Sequence, residues 1–366
     1  MMAAVQLVCA RIGMVTGEGL TAALRRKFPL AAVRVLAVLL LLVNTLNIAA
    51  DLAGMGDAAN MLIGAPALLW IVVFGVVIAL GVMRLRYVVF ERVLKWLTLV
   101  LFAYVVDGLS MGGDWGRILH ATFLPSLPSL RDHAAWTTLV AVLGTTISPY
   151  LFFWQSSQEV EEEKAAARSD VPARRGMSAA EFAGRKRDVG VGTFFSNVVM
   201  FFIILTTALT LHVHGAAIET SRQAAEALRP LAGSFAALLY TAGIIGTGAL
   251  AIPIMSGSAA YVFAETFGWR EGIDERLSGA PAFYAVLAAS IAIGVILNFA
   301  GLDPIAAMYW AAVVNGLLAP VVLIAILIIA ADRTLMHDQR ASRWEWWVVL
   351  FTTAVMTAAA VGMFVL

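Results

Sequence analysis

Midway along an otherwise apolar run from His133 to about Gln155, the sequence reads Gly144-Thr145-Thr146-Ile147-Ser148-Pro149-Tyr150. Proline has no N–H and its ring clashes with the preceding turn, so carbonyls near Thr145 and Thr146 lose their helical donors. If the run lies in hydrocarbon, such groups persist only beside protein, water or a bound ion. The chemistry available there is cation binding by neutral oxygens, from Thr145, Ser148 and the freed backbone, with Tyr150 next along the chain. The alternative is a proline kink in which the hydroxyls bond to their own helix.

Few other polar residues interrupt the apolar stretches. Asn44, Asn47 and Asp51 are spaced by three and four, which sets them on one helix face. An acid inside a membrane helix is a functional candidate by default, so Asp51 is assigned to a proton or ion path; its alternative is a place in the outer headgroup layer. Asp57 is expected in a solvent-exposed glycine-rich loop (GMGDAAN), and Asp107 at an interface. Asn315, followed by Gly316 and Pro320, is a candidate ligand or interhelical glue, and Asn197 is expected to be glue. Residues 232–264 are rich in small side chains and contain Pro253, which favours close helix packing. His120, His133, His212, His214 and His337 all fall outside membrane depth, which argues against a histidine relay. The single Cys9 excludes disulfides and multi-cysteine metal clusters.

The elements that must position these residues are membrane helices. The chain is 61% hydrophobic and 13% charged, against about 25% charged for a soluble domain, with a mean hydropathy of +0.87. The net charge of +1 argues against nucleic-acid binding. Spans are predicted over 32–53, 66–84, 87–107, 133–156, 189–212, 232–264, 281–299, 305–331 and 344–366, with residues 1–14 as part of a further helix. Connections 25–34, 84–95, 164–187, 270–276 and 333–343 hold 20 of the 25 basic residues, which places them in the cytoplasm. The 164–187 segment is expected to be a solvated, mobile loop.

Four stretches carry a resemblance: ARIGMVTGEGL (10–20), NIAADLAGMGDAANMLIGAP (47–66), GTTISPYLFFWQSSQEVEE (144–162) and VGTFFSNVVMFFI (191–203). In this order the chain resembles the Nramp family of divalent metal ion transporters, in a divergent prokaryotic branch, over nearly its whole length. The resemblance implies an all-α, leucine-transporter-like bundle of two inverted five-helix repeats, with broken first and sixth helices forming the site. Residues 1–107 would be the remainder of the first repeat, 133–331 the second, and 344–366 an additional helix. It also implies an inner-membrane carrier rather than an enzyme, working by alternating access, with a metal ion as cargo, no resident cofactor and no protein partner.

Two departures from the family qualify this. The family's first helix, with its Asp-Pro-Gly-Asn ligands, has no counterpart, since the chain begins inside what resembles the second helix. In the sixth helix the usual Met-Pro-His becomes Ser148-Pro149-Tyr150, and Gln155 takes the place of a later histidine. Asp51 matches an acid associated with proton transfer, while the next acid becomes Gly54, which puts proton coupling in question. Thioethers select soft ions, whereas hydroxyl, amide and carbonyl oxygens suit Mg²⁺ and Mn²⁺, so replacement of methionine by Ser148 favours Mn²⁺ or Mg²⁺ over Fe²⁺. The expected metal site is Thr145, Ser148, Tyr150, Gln155 and Asn315. The other readings are a related carrier of an organic solute and a truncated, non-transporting membrane protein.

Overall fold

A computed structural model describes residues 1–84, 99–124, 132–168, 170–210, 220–226, 228, 229 and 233–365. Among them every regular element is helical: α1 (Met2–Thr16), α2 (Leu20–Lys27), α3 (Leu30–Ile63), α4 (Ala67–Arg84), α5 (Phe102–Ser110), α6 (Trp115–Phe123), α7 (His133–Thr146), α8 (Pro149–Ala165), α9 (Ala179–Thr210), α10 (Ala236–Phe267), α11 (Pro281–Asn298), α12 (Pro304–Ala331) and α13 (Arg343–Val365), with a few single turns between. Eight stretches, α7 and α8 counted as one, are long and apolar enough to cross a bilayer; α1 and α2, bent by 75°, make a ninth if taken as one span. These eight correspond to eight of the nine predicted spans. Much of the remaining one, 87–107, lies outside the described residues, as do His212 and His214.

Long α3 runs through the middle of the bundle, with Leu40, Ile48, Leu52 and Met55 fully buried against α10, α11 and α12. Its length corrects the sequence reading. The GMGDAAN segment is helix, not loop, because its glycines serve close approach: a Cβ on Gly56 would sit 2.6 Å from Ile71 of α4. Asp57 is therefore half-buried, and its carboxylate accepts the Ser221 N–H at 3.3 Å. Asp107, expected at an interface, is 1% exposed within α5, where Gly108 packs on Phe202 of α9.

Among the described residues, the basic connections 25–34, 164–187, 270–276 and 333–343 meet at one end of the bundle. Lys27 pairs with Asp332 at 2.5 Å, Lys164 donates to the Glu271 carbonyl at 3.3 Å, and Met177 and Gln339 exchange two hydrogen bonds. The 164–187 segment is thus docked rather than solvated. Arg174 is buried and donates to the Gly17 carbonyl at 3.1 Å, Gly176 N donates to the Val15 carbonyl, and α9 starts at Ala179, ten residues before its predicted start. Early in α9, Arg185 pairs with Glu159 and Glu162 of α8 and with Asp188, which lets a charged turn pack against the bundle. Arg11 of α1 forms a two-point pair with Glu345 of α13 at 2.9 and 3.1 Å.

Candidate metal site

The break falls where the proline predicts it. Helix α7 ends at Thr146 and α8 begins at Pro149, with Ser148 extended between them. Pro149 leaves the Thr145 carbonyl without its i+4 amide donor. Ser148 turns its hydroxyl back on α7, donating to the Gly144 carbonyl at 2.7 Å and lying 3.4 Å from that of Thr145. Thr145 is exposed, whereas Ser148 is buried.

Three other helices close on this break. Gly144 sits against α12 so tightly that a Cβ there would be 2.1 Å from the Ala312 carbonyl oxygen and 2.4 Å from Gly316 N. That contact sets Asn315 beside the last turn of α7. Asn315 donates to the Asn47 side chain of α3 at 2.9 Å, and Asn44 donates to the Met255 carbonyl of α10 at 2.9 Å. The side-chain oxygens of Asn44 and Asn315 are buried and have no hydrogen-bond partner among the described residues. Buried acceptors are rarely left unpaired, and a cation or a donor satisfies such a pair of oxygens. On the α8 side, the Tyr150 carbonyl accepts from Ser258 of α10 at 3.0 Å, and its ring hydroxyl has Asp51 and Ser148 as electrostatic neighbours. Asp51 is half-buried, and with Met55 it packs against Gly248 of α10.

The structure thus brings Thr145, Ser148, Tyr150, Asn315 and Asp51 around one break, together with Asn44 and Asn47. Gln155 is not among them. It lies about 10 Å down α8 from Ser148 by helical rise, and donates instead to Glu159 at 2.7 Å. Asn197 is not glue either, since its amide returns to the Thr193 carbonyl of its own helix at 2.6 Å and the residue is exposed. Among the described residues no three of His, Cys, Asp and Glu group as metal ligands. The polar groups around the break are neutral oxygens with Asp51 as a nearby acid, and the Met200 thioether lies 3.6 Å from the Thr146 hydroxyl.

The profile of the Nramp family, described as Natural resistance-associated macrophage protein-like, matches residues 1–366. The chain belongs to the Nramp family. Among bacterial relatives, the divalent metal cation transporter MntH of Burkholderia ambifaria is 25% identical over 347 residues, 90% of this chain and 71% of that protein. The MntH of Yersinia enterocolitica is 27% identical over 250 residues, 67% of this chain, and the match spans 57% of the Yersinia protein. The crystal structure of the Eremococcus coleocola manganese transporter, bound to an aromatic bis-isothiourea compound, superposes with a TM-score of 0.74 at 15% identity, over 98% of this chain and 76% of that one. This Nramp chain therefore has the leucine-transporter-like all-α fold expected from its sequence.

Sequence reasoning missed Glu265, Ser156 and Ser157, which join three helices at the basic end. The available signal was a lone acid in the last turn of the small-residue span, in Ala264-Glu265-Thr266-Phe267.

Proposed function

We propose that this Nramp protein carries divalent metal cations across the inner membrane by alternating access, with Mn²⁺ or Mg²⁺ preferred over Fe²⁺ and with its basic end in the cytoplasm. The observation that carries the reading is the Thr145 carbonyl, stripped of its amide donor by Pro149 where α3, α8, α10 and α12 converge. The unpaired oxygens of Asn44 and Asn315 support it, as does the absence of a thioether at Ser148. The relatives' descriptions as divalent metal cation and manganese transporters point the same way. Asp51 is the carboxylate at the break among the described residues and is assigned to ion or proton movement.

The test is uptake of radioactive Mn²⁺ into proteoliposomes, with Mg²⁺, Fe²⁺ and Cd²⁺ as competitors. Saturable uptake blocked better by Mg²⁺ than by Cd²⁺ is expected, and Asp51→Asn should change its rate or pH dependence. Folded protein that moves none of these ions would sink the reading, and uptake of a labelled amino acid instead would replace it with an organic-solute carrier.

A further inference from the structure

The N-terminus of α2 has no cap of its own. Gly19 precedes it and offers no side chain, so the first amides of the helix need acceptors from elsewhere. They come from two distant helices. Leu20 N donates to Ser156 Oγ of α8 at 2.9 Å, and Ala22 N donates to Glu265 Oε2 of α10 at 2.9 Å. Ser157 of α8 completes the joint by donating to Glu265 Oε1 at 3.2 Å, and Arg25 of α2 donates to the Glu265 backbone carbonyl. Glu265 is 7% exposed. It is so close to α2 that a Cβ on Gly19 would fall 1.8 Å from Oε1.

This joint stands at the end of a seam that starts at the break. Along α8 and α10 the contacts run from the Tyr150 carbonyl with Ser258, through Trp154 packed on Gly257 and edge-on to Tyr261, to Ser157 with Glu265. Every step lies between the same two helices and leads from Pro149 toward the basic connections. Going from the break along this seam, Trp154 comes first and the Glu265 joint last.

We propose that Glu265, with Ser156 and Ser157, is a latch that keeps the α8–α10 seam shut on the basic side by tying α2 and α8 to α10. Glu265 is then a positioning residue that never touches the ion. The proposal rests on the transport reading, and it is tested separately from it. In a Cys9→Ser background, the sole thiol of Ser258→Cys sits at the inner end of the seam, and its reaction with an impermeant methanethiosulfonate added to the basic side reports seam opening without any transport.

Glu265→Ala removes the carboxylate, and Gly19→Ala displaces it while leaving the charge. Each should speed labelling about tenfold, equal to about 1.4 kcal/mol in the closed–open balance. Mn²⁺ uptake should show a changed maximal rate that Glu265→Gln, which keeps one acceptor oxygen, partly restores. Unchanged labelling in folded Gly19→Ala overturns the latch even if Glu265→Ala fails to fold, and so does fast labelling of the parent. Faster labelling in both variants, with no metal uptake by any protein, upholds the latch and removes the transport reading instead.

Discussion

Ser148 donates to the carbonyl of Gly144 at 2.7 Å, one turn back across the helix break. The hydroxyl engages the Gly144 carbonyl closely and leaves the Thr145 carbonyl, the one whose i+4 donor Pro149 removes, as the freer one. A side chain that cannot donate would release both carbonyls and change the softness of the site together. Ser148→Met should therefore move competition toward Cd²⁺ and Fe²⁺ and away from Mg²⁺, at an overpacking cost of about 1–3 kcal/mol in this buried position. Competition for Mn²⁺ uptake measures it, and an identical order of ions at equal protein levels would leave Ser148 with its backbone role alone.

Asn315 of α12 donates a 2.9 Å hydrogen bond to the Asn47 side-chain oxygen of α3 beside the break. A double-mutant cycle with Asn47→Leu and Asn315→Leu should give a coupling of about 0.6 kcal/mol in detergent, the usual size for an interhelical bond in a membrane protein. Asn315→Leu should also weaken apparent Mn²⁺ affinity, because it removes an acceptor oxygen as well as the bond. Additive stabilities together with an unaltered affinity would contradict both halves of this.

The pairing of Arg11 with Glu345 holds α1 to α13 at side-chain exposures of 10% and 13%. Breaking one partner of a nearly buried pair strands the other, at about 3–5 kcal/mol. Glu345→Gln should lower the thermal midpoint markedly, and Arg11→Met with Glu345→Leu should recover most of the loss. A double variant as unstable as the single one would show that packing, not stranded charge, is at stake.

Asp332 is held below the usual carboxyl range by Lys27 first, and then by the Thr334 hydroxyl and backbone N–H that it caps. A depressed carboxyl contributes stability above its unfolded value near 3.9 and loses it as the pH falls further. The tie between α2 and the turn after α12 should accordingly weaken only below about pH 4. Thermal melts across pH should show a drop there that Asp332→Asn lacks, and a drop of equal size in that variant would assign it to other groups.

With the basic end in the cytoplasm, a cysteine at exposed Ser178, in a Cys9→Ser background, should resist impermeant maleimide in intact cells and react in inside-out vesicles. Reaction in intact cells would invert the topology.

The apolar runs and the proline made eight spans and the break legible, because length, hydropathy and a missing N–H are local properties of the chain. The polar residues around the break were legible as types and spacings. Their partners were not, since Asn47 with Asn315 is a contact across 268 positions. Where the reading failed, it took local composition for local structure. Gly54 and Gly56 suggested a loop but serve packing against Met308 and Ile71, and the charges of 164–187 suggested a mobile tether, but Arg185 is matched by Glu159 and Arg174 by the Gly17 carbonyl, while Gln339 holds the backbone of Met177. Glu265 was missed because nothing near it in sequence reveals that the open end of α2 needs an acceptor.

The capping of α2 also imposes an order on how the molecule is made. Its first turn takes one acceptor from 136 residues downstream and another from 243 residues downstream. At about 5–20 residues per second, the second acceptor emerges roughly 10–50 s after the helix that needs it. During that interval α2 has its amides open at an unfinished bend, so the bend acquires its final angle only when α10 arrives, and α1 and α2 are among the last parts of the bundle to become rigid although they leave the ribosome well before α10.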